Sequence, residues 1–371
     1  MFEFLQMSKV ISYQSRGDSF GTSSPCFMHR ARLAGLIGAT VAAGFYLHLQ
    51  SQDGMLLARH TALGRSFVGR RAVVVGGTSG IGKGIALRLA ELGYSVTVVG
   101  RDAERGAEVV AQMGARSAQQ QPQQPHLQHA FRACNAFLVR EVEACAAALS
   151  AEAGPALDLL VLTQGMATLQ GRTETPEGLD QKLALHYFGR VAFTLSALPA
   201  LRRAPSPTVI SVLSAGVHAP YPGWAQDLEL RQAYSLKGAA DAAGLYNDLA
   251  AEALALEEQE NKALLFVHAA PGFVNTAWGT EMPWPVRALI RAIQPLGRSP
   301  ADCAEAMLEP IFSREEGGRG GGWALIGPEG QPAKPTPLQG LARDSVWQAT
   351  KQLLQRAREG AGGRRAEGQL G

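Results

Sequence analysis

Val73 to Arg101 reads VVVGGTSGIGKGIALRLAELGYSVTVVGR. A β-branched apolar run enters Gly76, Gly80 and Gly82 follow at G-x-x-x-G-x-G spacing, and a helical pattern begins. Glycine at such a corner lets the backbone turn sharply and approach a diphosphate, while the helix N-terminus offers free N–H groups and the positive end of its dipole. Gly76, Thr78, Ser79, Gly80, Ile81 and Gly82 are therefore the expected anion-binding turn. The same glycines would also serve a tight strand–helix turn with no ligand. A strand before the turn, a helix after it and a second strand ending about 20 residues on favour a dinucleotide.

The end of that second strand bears on which dinucleotide. An NAD site would carry Asp or Glu there to accept from the ribose 2′-hydroxyl. Here Gly100 holds the position and Arg101 follows, so no carboxylate repels a 2′-phosphate and a guanidinium can pair with it. This favours NADP over NAD. The alternative is a solvated loop arginine, with Asp102 beside it.

Outward from this stretch, short apolar runs alternate with helical ones. Strands are expected at Ala72–Val75, Ser95–Val99, Leu159–Leu162, Thr208–Val212 and Leu264–Val267, and helices at Gly82–Leu92, Arg140–Ala151, Gly178–Leu198 and Tyr234–Glu257. Such alternation predicts an α/β fold, a doubly wound parallel sheet (Rossmann-type) with helices on both faces, which binds ligands at the carboxyl ends of its strands. Further on, a helix (Pro300–Phe312), a glycine-rich turn (Gly317–Gly322), a strand (Trp323–Ile326) and a last helix (Arg343–Arg356) are expected. The single domain spans 66–358. It carries a low-complexity insertion at 117–129, built on QQQPQQPHLQ, and a disordered tail at 359–371.

The composition is that of a globular chain, with 46% hydrophobic and 18% charged residues among 371. A net charge of +3 gives no basic field for nucleic acid. The four cysteines are scattered, without CxxC or Cys/His clusters, so neither a zinc site nor a disulfide framework is expected and no metal is assigned.

Residues 1–65 form a separate N-terminal segment. No charged residue occurs from Leu33 to Gln52, and Arg30 and Arg32 flank the start of the run. Its apolar part, Leu33–Leu49, approaches the roughly 20 residues a spanning helix needs. Three readings stand: a membrane anchor over 33–52, with the arginines favouring a cytoplasmic start; a mitochondrial or plastid presequence, against which Glu3 and Asp18 count; and a plain soluble helix of a cytoplasmic protein. The domain would face either side of a membrane.

In these motifs the chain resembles the short-chain dehydrogenase/reductase family, above all its retinol-dehydrogenase-like members, over about residues 68–330. GGTSGIG (Gly76–Gly82) matches well, although Val75 stands where the family usually has Thr. APGFVNTAW (Ala270–Trp278) is similar to the Pro-Gly turn beside the nicotinamide, which implies cofactor roles for Pro271, Gly272 and Thr276. LDLLVLTQG (Leu157–Gly165) corresponds to the strand ending in Asn-Asn-Ala-Gly, of which only Gly165 remains, and Asn135 stands for the family's adenine-contacting Asp.

The resemblance implies a nicotinamide-dependent oxidoreductase acting on a small-molecule carbonyl or alcohol, with a homo-oligomer left open. It matches Ser214 to the serine that binds the substrate oxygen, Tyr234 to the proton-transferring tyrosine and Lys237 to the lysine that lowers the phenol's pKa. His186 stands in place of the family's Asn. The family spacing is Tyr-x-x-x-Lys, yet Gly238 lies four residues after Tyr234, and no lysine has Tyr four places before it. Positions three and four residues on diverge by about 100° around a helix. Lys237 would need its long stem, or a local bulge, to reach the ribose. A cofactor-binding protein without turnover is the alternative, and walls for an apolar pocket are looked for at Trp278, Met282 and Trp284. Carbonate extraction separates the N-terminal readings: an anchored chain stays in the membrane pellet, whereas a soluble helix leaves the chain in the supernatant.

Overall fold

The computed structural model describes residues 67–123, 127–152, 156–280, 282–315, 317 and 320–367. The N-terminal expectations, the apolar run 33–52 included, lie outside the described residues. Among the described residues no helix is long and apolar enough to cross a membrane.

The strands form one parallel sheet: β1 (Arg71–Val75), β2 (Ser95–Gly100), β3 (Ala130–Ala133), β4 (Leu159–Leu162), β5 (Thr208–Val212), β6 (Leu265–Ala269) and β7 (Gly322–Ile326), in the order β3-β2-β1-β4-β5-β6-β7. Side chains alternate across a strand, so each strand feeds two cores. Val73 and Val75 pack with Leu160, Leu162 and Val209 on one face; Val74 packs with Val98, Leu159, Val161 and Ile210 on the other. Two covered faces are what the near-continuous apolar strands require.

The helices are α1 (Gly80–Glu91), α2 (Ala103–Gln120), α3 (Val139–Glu152), α4 (Gln181–Leu183), α5 (Gly189–Leu201), α6 (Leu236–Glu257), α7 (Trp284–Ile293), α8 (Pro300–Glu315) and α9 (Gln339–Glu367). A π turn, Ala184–Phe188, joins α4 to α5, so one nearly continuous rod carries His186 at its irregular centre. This rod starts later than the sequence pattern indicates because Asp180 caps it, accepting from the N–H groups of Lys182 (3.0 Å) and Leu183 (3.1 Å). The helix α7 was not anticipated. The last helix runs to Glu367, through most of the span 359–371 read as a tail, because an established helix adds a hydrogen bond with each residue it gains.

The segment 117–129 is shorter as a surface insertion than the sequence suggests. Its first residues continue α2, and Ser117 is buried, donating to the Ala90 carbonyl (3.1 Å) and bonding His129 Nε2 (2.7 Å). Close helix packing depends on glycine at one further point. A Cβ on Gly84 in α1 would strike the backbone carbonyl of Pro300 at the start of α8. Gly84→Val is expected to destabilise the domain by about 1–3 kcal/mol in urea unfolding, since the obstacle is backbone and cannot rotate away.

Candidate functional site

Strand order reverses between β1 and β4, and the crevice at this switch point is where open α/β sheets take ligands. Gly76 leaves β1 with φ +79°, and its N–H donates to the Val99 carbonyl (2.8 Å). A Cβ there would lie 2.7 Å from the Gln164 backbone nitrogen, so the turn and the end of β4 meet main chain to main chain. Gly82 is equally constrained, against the Gly76 carbonyl and Thr163 Oγ1. Thr163 in turn donates to the Val75 carbonyl (2.8 Å), so it braces the corner that the family's Asn-Asn-Ala-Gly residues would occupy.

The amides of α1 remain available. Ser79 is the N-cap in extended conformation, but its side chain makes no capping bond and the first turn holds no acidic residue. Gly80, with φ +53°, faces the Thr276 side chain, which would lie 3.3 Å from a Cβ on that glycine. The loop after β6 thus closes over the glycine turn. Pro271 begins that loop, and Gly272, at φ +70°, packs against Pro328. Ile81 follows Gly80 into the first turn of α1.

At the far end of the crevice, a Cβ on Gly100 would lie 2.8 Å from Thr78 Cγ2, so the space where an acidic side chain would start is already filled. Arg101 is exposed, its guanidinium 5.4 Å from the Phe137 ring centroid. Asp102 is accounted for as the N-cap of α2, accepting from Arg105 N–H (3.0 Å). Asn135 Oδ1 accepts from Phe137 N–H (3.3 Å), so Asn135 shapes the same rim. These contacts join Gly76, Gly82, Thr163 and Gln164 at one corner, Gly80 to Thr276, and Gly100 to Thr78.

The catalytic expectations fare differently. Ser214 stands just beyond β5, and its Oγ is buried with no hydrogen-bond partner among the described residues. Tyr234 is not on a helix: α6 begins at Leu236 with Ser235 as N-cap, whose Oγ accepts from Gly238 N–H (2.9 Å). The Tyr234 hydroxyl is likewise buried without a hydrogen-bond partner, and burial, then the Asp180 charge, pushes its pKa up to about 12. Lys237 is 63% exposed and ion-pairs with Asp241 one turn along α6. The helical Tyr234–Lys237 pairing is thus corrected. A serine at the N-cap starts the helix after the tyrosine, and a nearby carboxylate holds the ammonium.

His186 is half-buried, and its Nε2 accepts from Met166 N–H (2.9 Å), holding the loop after Gly165. Burial, then the charges of Arg190 and Lys182, push its pKa down to about 3, so it is neutral.

Several residues were missed in the sequence. Arg190, buried in α5, donates to the Gln164 carbonyl (2.6 Å), the Val212 carbonyl (3.0 Å) and Ser211 Oγ (2.8 Å), tying the ends of β4 and β5 together. Asn247 donates to the His186 carbonyl (2.8 Å) at the π turn. His268 Nε2 accepts from Ser214 N–H (3.1 Å), while its Nδ1 bonds Asp248 Oδ1 (2.5 Å). His218 Nδ1 bonds Asp241 Oδ1 (3.2 Å). No local pattern marks these pairs, because their partners lie 20 or more residues apart in the chain.

The model for short chain dehydrogenases matches residues 70–282. A polyprenol dehydrogenase of Mus musculus is 31% identical over 309 residues, covering 81% of this chain and 87% of the relative. An oxidoreductase of Emericella nidulans is 33% identical over 219 residues, covering 58% of this chain and 62% of the relative, so the chain spans less than two thirds of that protein. Among solved structures, a metagenomic short-chain oxidoreductase in complex with NADP has a TM-score of 0.50 at 21% identity, covering 70% of this chain and 97% of its own, a likeness of fold.

His186 makes the domain acid-sensitive. Below about 6.5 the unfolded chain takes up a proton on this histidine that the folded chain refuses until about 3. Stability is therefore expected to fall as pH drops between those values, and His186→Asn to remove that part of the slope. Urea unfolding of both proteins at a series of pH values measures it.

Proposed function

The chain belongs to the short-chain dehydrogenase family, and we propose that it is an NADP-dependent oxidoreductase moving a hydride between the nicotinamide and a carbonyl or alcohol carbon. The observation that carries this is the glycine turn at the sheet's switch point: main chain packs so closely that it leaves the uncapped amides of α1 to a diphosphate. The two buried, unpartnered hydroxyls of Ser214 and Tyr234 fit the same reading, since an orphaned buried hydroxyl is costly unless a ligand satisfies it.

Gly76, Gly80 and Gly82 would admit the diphosphate, with Thr78, Ser79 and Ile81 around it. Arg101 and Asn135 would border the adenosine end, and Gly165, Pro271, Gly272 and Thr276 the nicotinamide end. The bound dinucleotide supplies the hydride chemistry. NADP is favoured over NAD because Thr78 fills the place of an acidic side chain and Arg101 carries positive charge toward a 2′-phosphate. Ser214 would orient the substrate oxygen.

A lipophilic substrate fits the apolar residues Trp284 (74% exposed), Val286 and Leu289 on α7, and the mouse relative is a polyprenol dehydrogenase. Membrane association through 33–52 belongs to the same proposal. The second reading, binding without turnover, draws on the Lys237–Asp241 ion pair and the high Tyr234 pKa, which leave the usual tyrosine–lysine couple unmade.

Calorimetric titration is expected to give tighter binding of NADPH than of NADH, with Arg101→Ala narrowing the gap by about tenfold, the equivalent of one charge-assisted contact of roughly 1.4 kcal/mol. Equal affinity for both would remove the NADP preference. Following NADPH absorbance with a panel of aldehydes and ketones separates the two readings: tight binding with no oxidation above background leaves the second.

A further inference from the structure

We propose that His218, held by Asp241, is the group that exchanges the proton with the substrate oxygen in this chain. The inference rests on the oxidoreductase reading above. Ser214 opens a turn closed by Val217 N–H donating to the Ser214 carbonyl (3.1 Å), with Gly216 at φ +64° inside it. His218 follows at once, so the turn that presents the substrate-binding hydroxyl also carries the imidazole.

Three features fit the imidazole for proton transfer. Its Nδ1 faces Asp241 Oδ1 at 3.2 Å, which fixes Nδ1 as the N–H donor and leaves Nε2 as the exchanging atom. Among the described residues no hydrogen bond reaches Nε2, and the side chain is 23% exposed, so a ligand can reach it. The ring lies against Gly244 of α6, where a Cβ would come within 2.6 Å of its Cδ2, so the helix makes room for an imidazole at this place.

The lysine joins the same group. Lys237 pairs with the other carboxylate oxygen of Asp241. In the family resemblance a lysine serves the tyrosine. Here it acts on a carboxylate that orients a histidine. The charged and titratable groups facing His218 are Asp241 and Lys237 from α6, His268 from β6 and His186 from the π turn. Burial outweighs Asp241 and holds the imidazole below its ordinary pKa, so it is neutral at pH 7 and acts as a base toward an alcohol.

In the oxidising direction the alcohol O–H breaks and its proton goes to His218 Nε2. A bound oxidised nicotinamide would accept the hydride from the carbinol carbon as the carbon–oxygen double bond forms. Reduction reverses each transfer, starting from the imidazolium.

The test uses the full chain with 15N-labelled histidine, the His218 signals being assigned by their loss in His218→Gln. An oxidised nicotinamide ring carries one positive charge that the reduced ring lacks. NADP+ is therefore expected to lower the His218 titration midpoint by about one pH unit, whereas NADPH leaves it near its free value. Once a turned-over aldehyde or alcohol is in hand, His218→Asn is expected to reduce kcat about 100-fold or more while the Kd for NADPH is kept. Binding of both cofactors with no movement of His218 overturns this assignment and leaves the cofactor site standing. Tyr234→Phe abolishing turnover while His218→Asn preserves it also overturns the assignment. Absence of any cofactor binding overturns the oxidoreductase reading and this one together.

Discussion

Main-chain contact at the switch point is the constraint on which the rest depends. Gly76 brings the corner after β1 against the Gln164 backbone, and Gly82 lies against the Gly76 carbonyl and Thr163 Oγ1, closer than a Cβ would allow. That contact turns the chain into α1 with its first amides unspent, and it also fixes the end of β4. Arg190 and His186 then carry the arrangement sideways. One donates to the Gln164 carbonyl and to the end of β5, the other accepts from Met166. A buried guanidinium shared among carbonyl and hydroxyl oxygens is expensive to desolvate, and its three acceptors offset that cost only while both strand ends keep their positions. The ends of β4 and β5 and the loop after Gly165 are thereby tied together by side chains.

The cofactor half of the site was legible because it is written in consecutive residues. Glycine spacing, flanking strand and helix, and the absence of a carboxylate at Gly100 all lie within one window, and strands β4 and β5 match their expected bounds. The structure adds a physical cause at Gly100, where Thr78 occupies the volume. Of the catalytic expectations, the structure matches only the placing of Ser214 just beyond a strand. Tyr234 and Lys237 look like a damaged helical pair in the sequence, yet a serine N-cap between them separates a loop residue from a helix residue. The cap has a local signal, Ser235 three positions before Gly238, which the family pattern overshadowed.

The histidine–carboxylate pairs had no such signal. His268 sits in an apolar strand and Asp248 in an apolar helix, where each alone reads as an isolated polar residue. Only the packing of α6 across β6 and β7 makes them partners. Asp248 also accepts from Gly216 N–H (3.4 Å), so this one carboxylate reaches both ends of the Ser214–Gly216 stretch, through His268 at one end and directly at the other. Polar groups that are costly when single become a fastening when paired.

The contact between Gly84 and Pro300 has a consequence for how the chain is made. Helix α1, which borders the diphosphate crevice, leans on a helix encoded more than 200 residues later. On the ribosome, the glycine corner emerges early but keeps an uncovered apolar flank until α8 has left the exit tunnel. The nucleotide-binding half therefore cannot mature as an autonomous nascent unit.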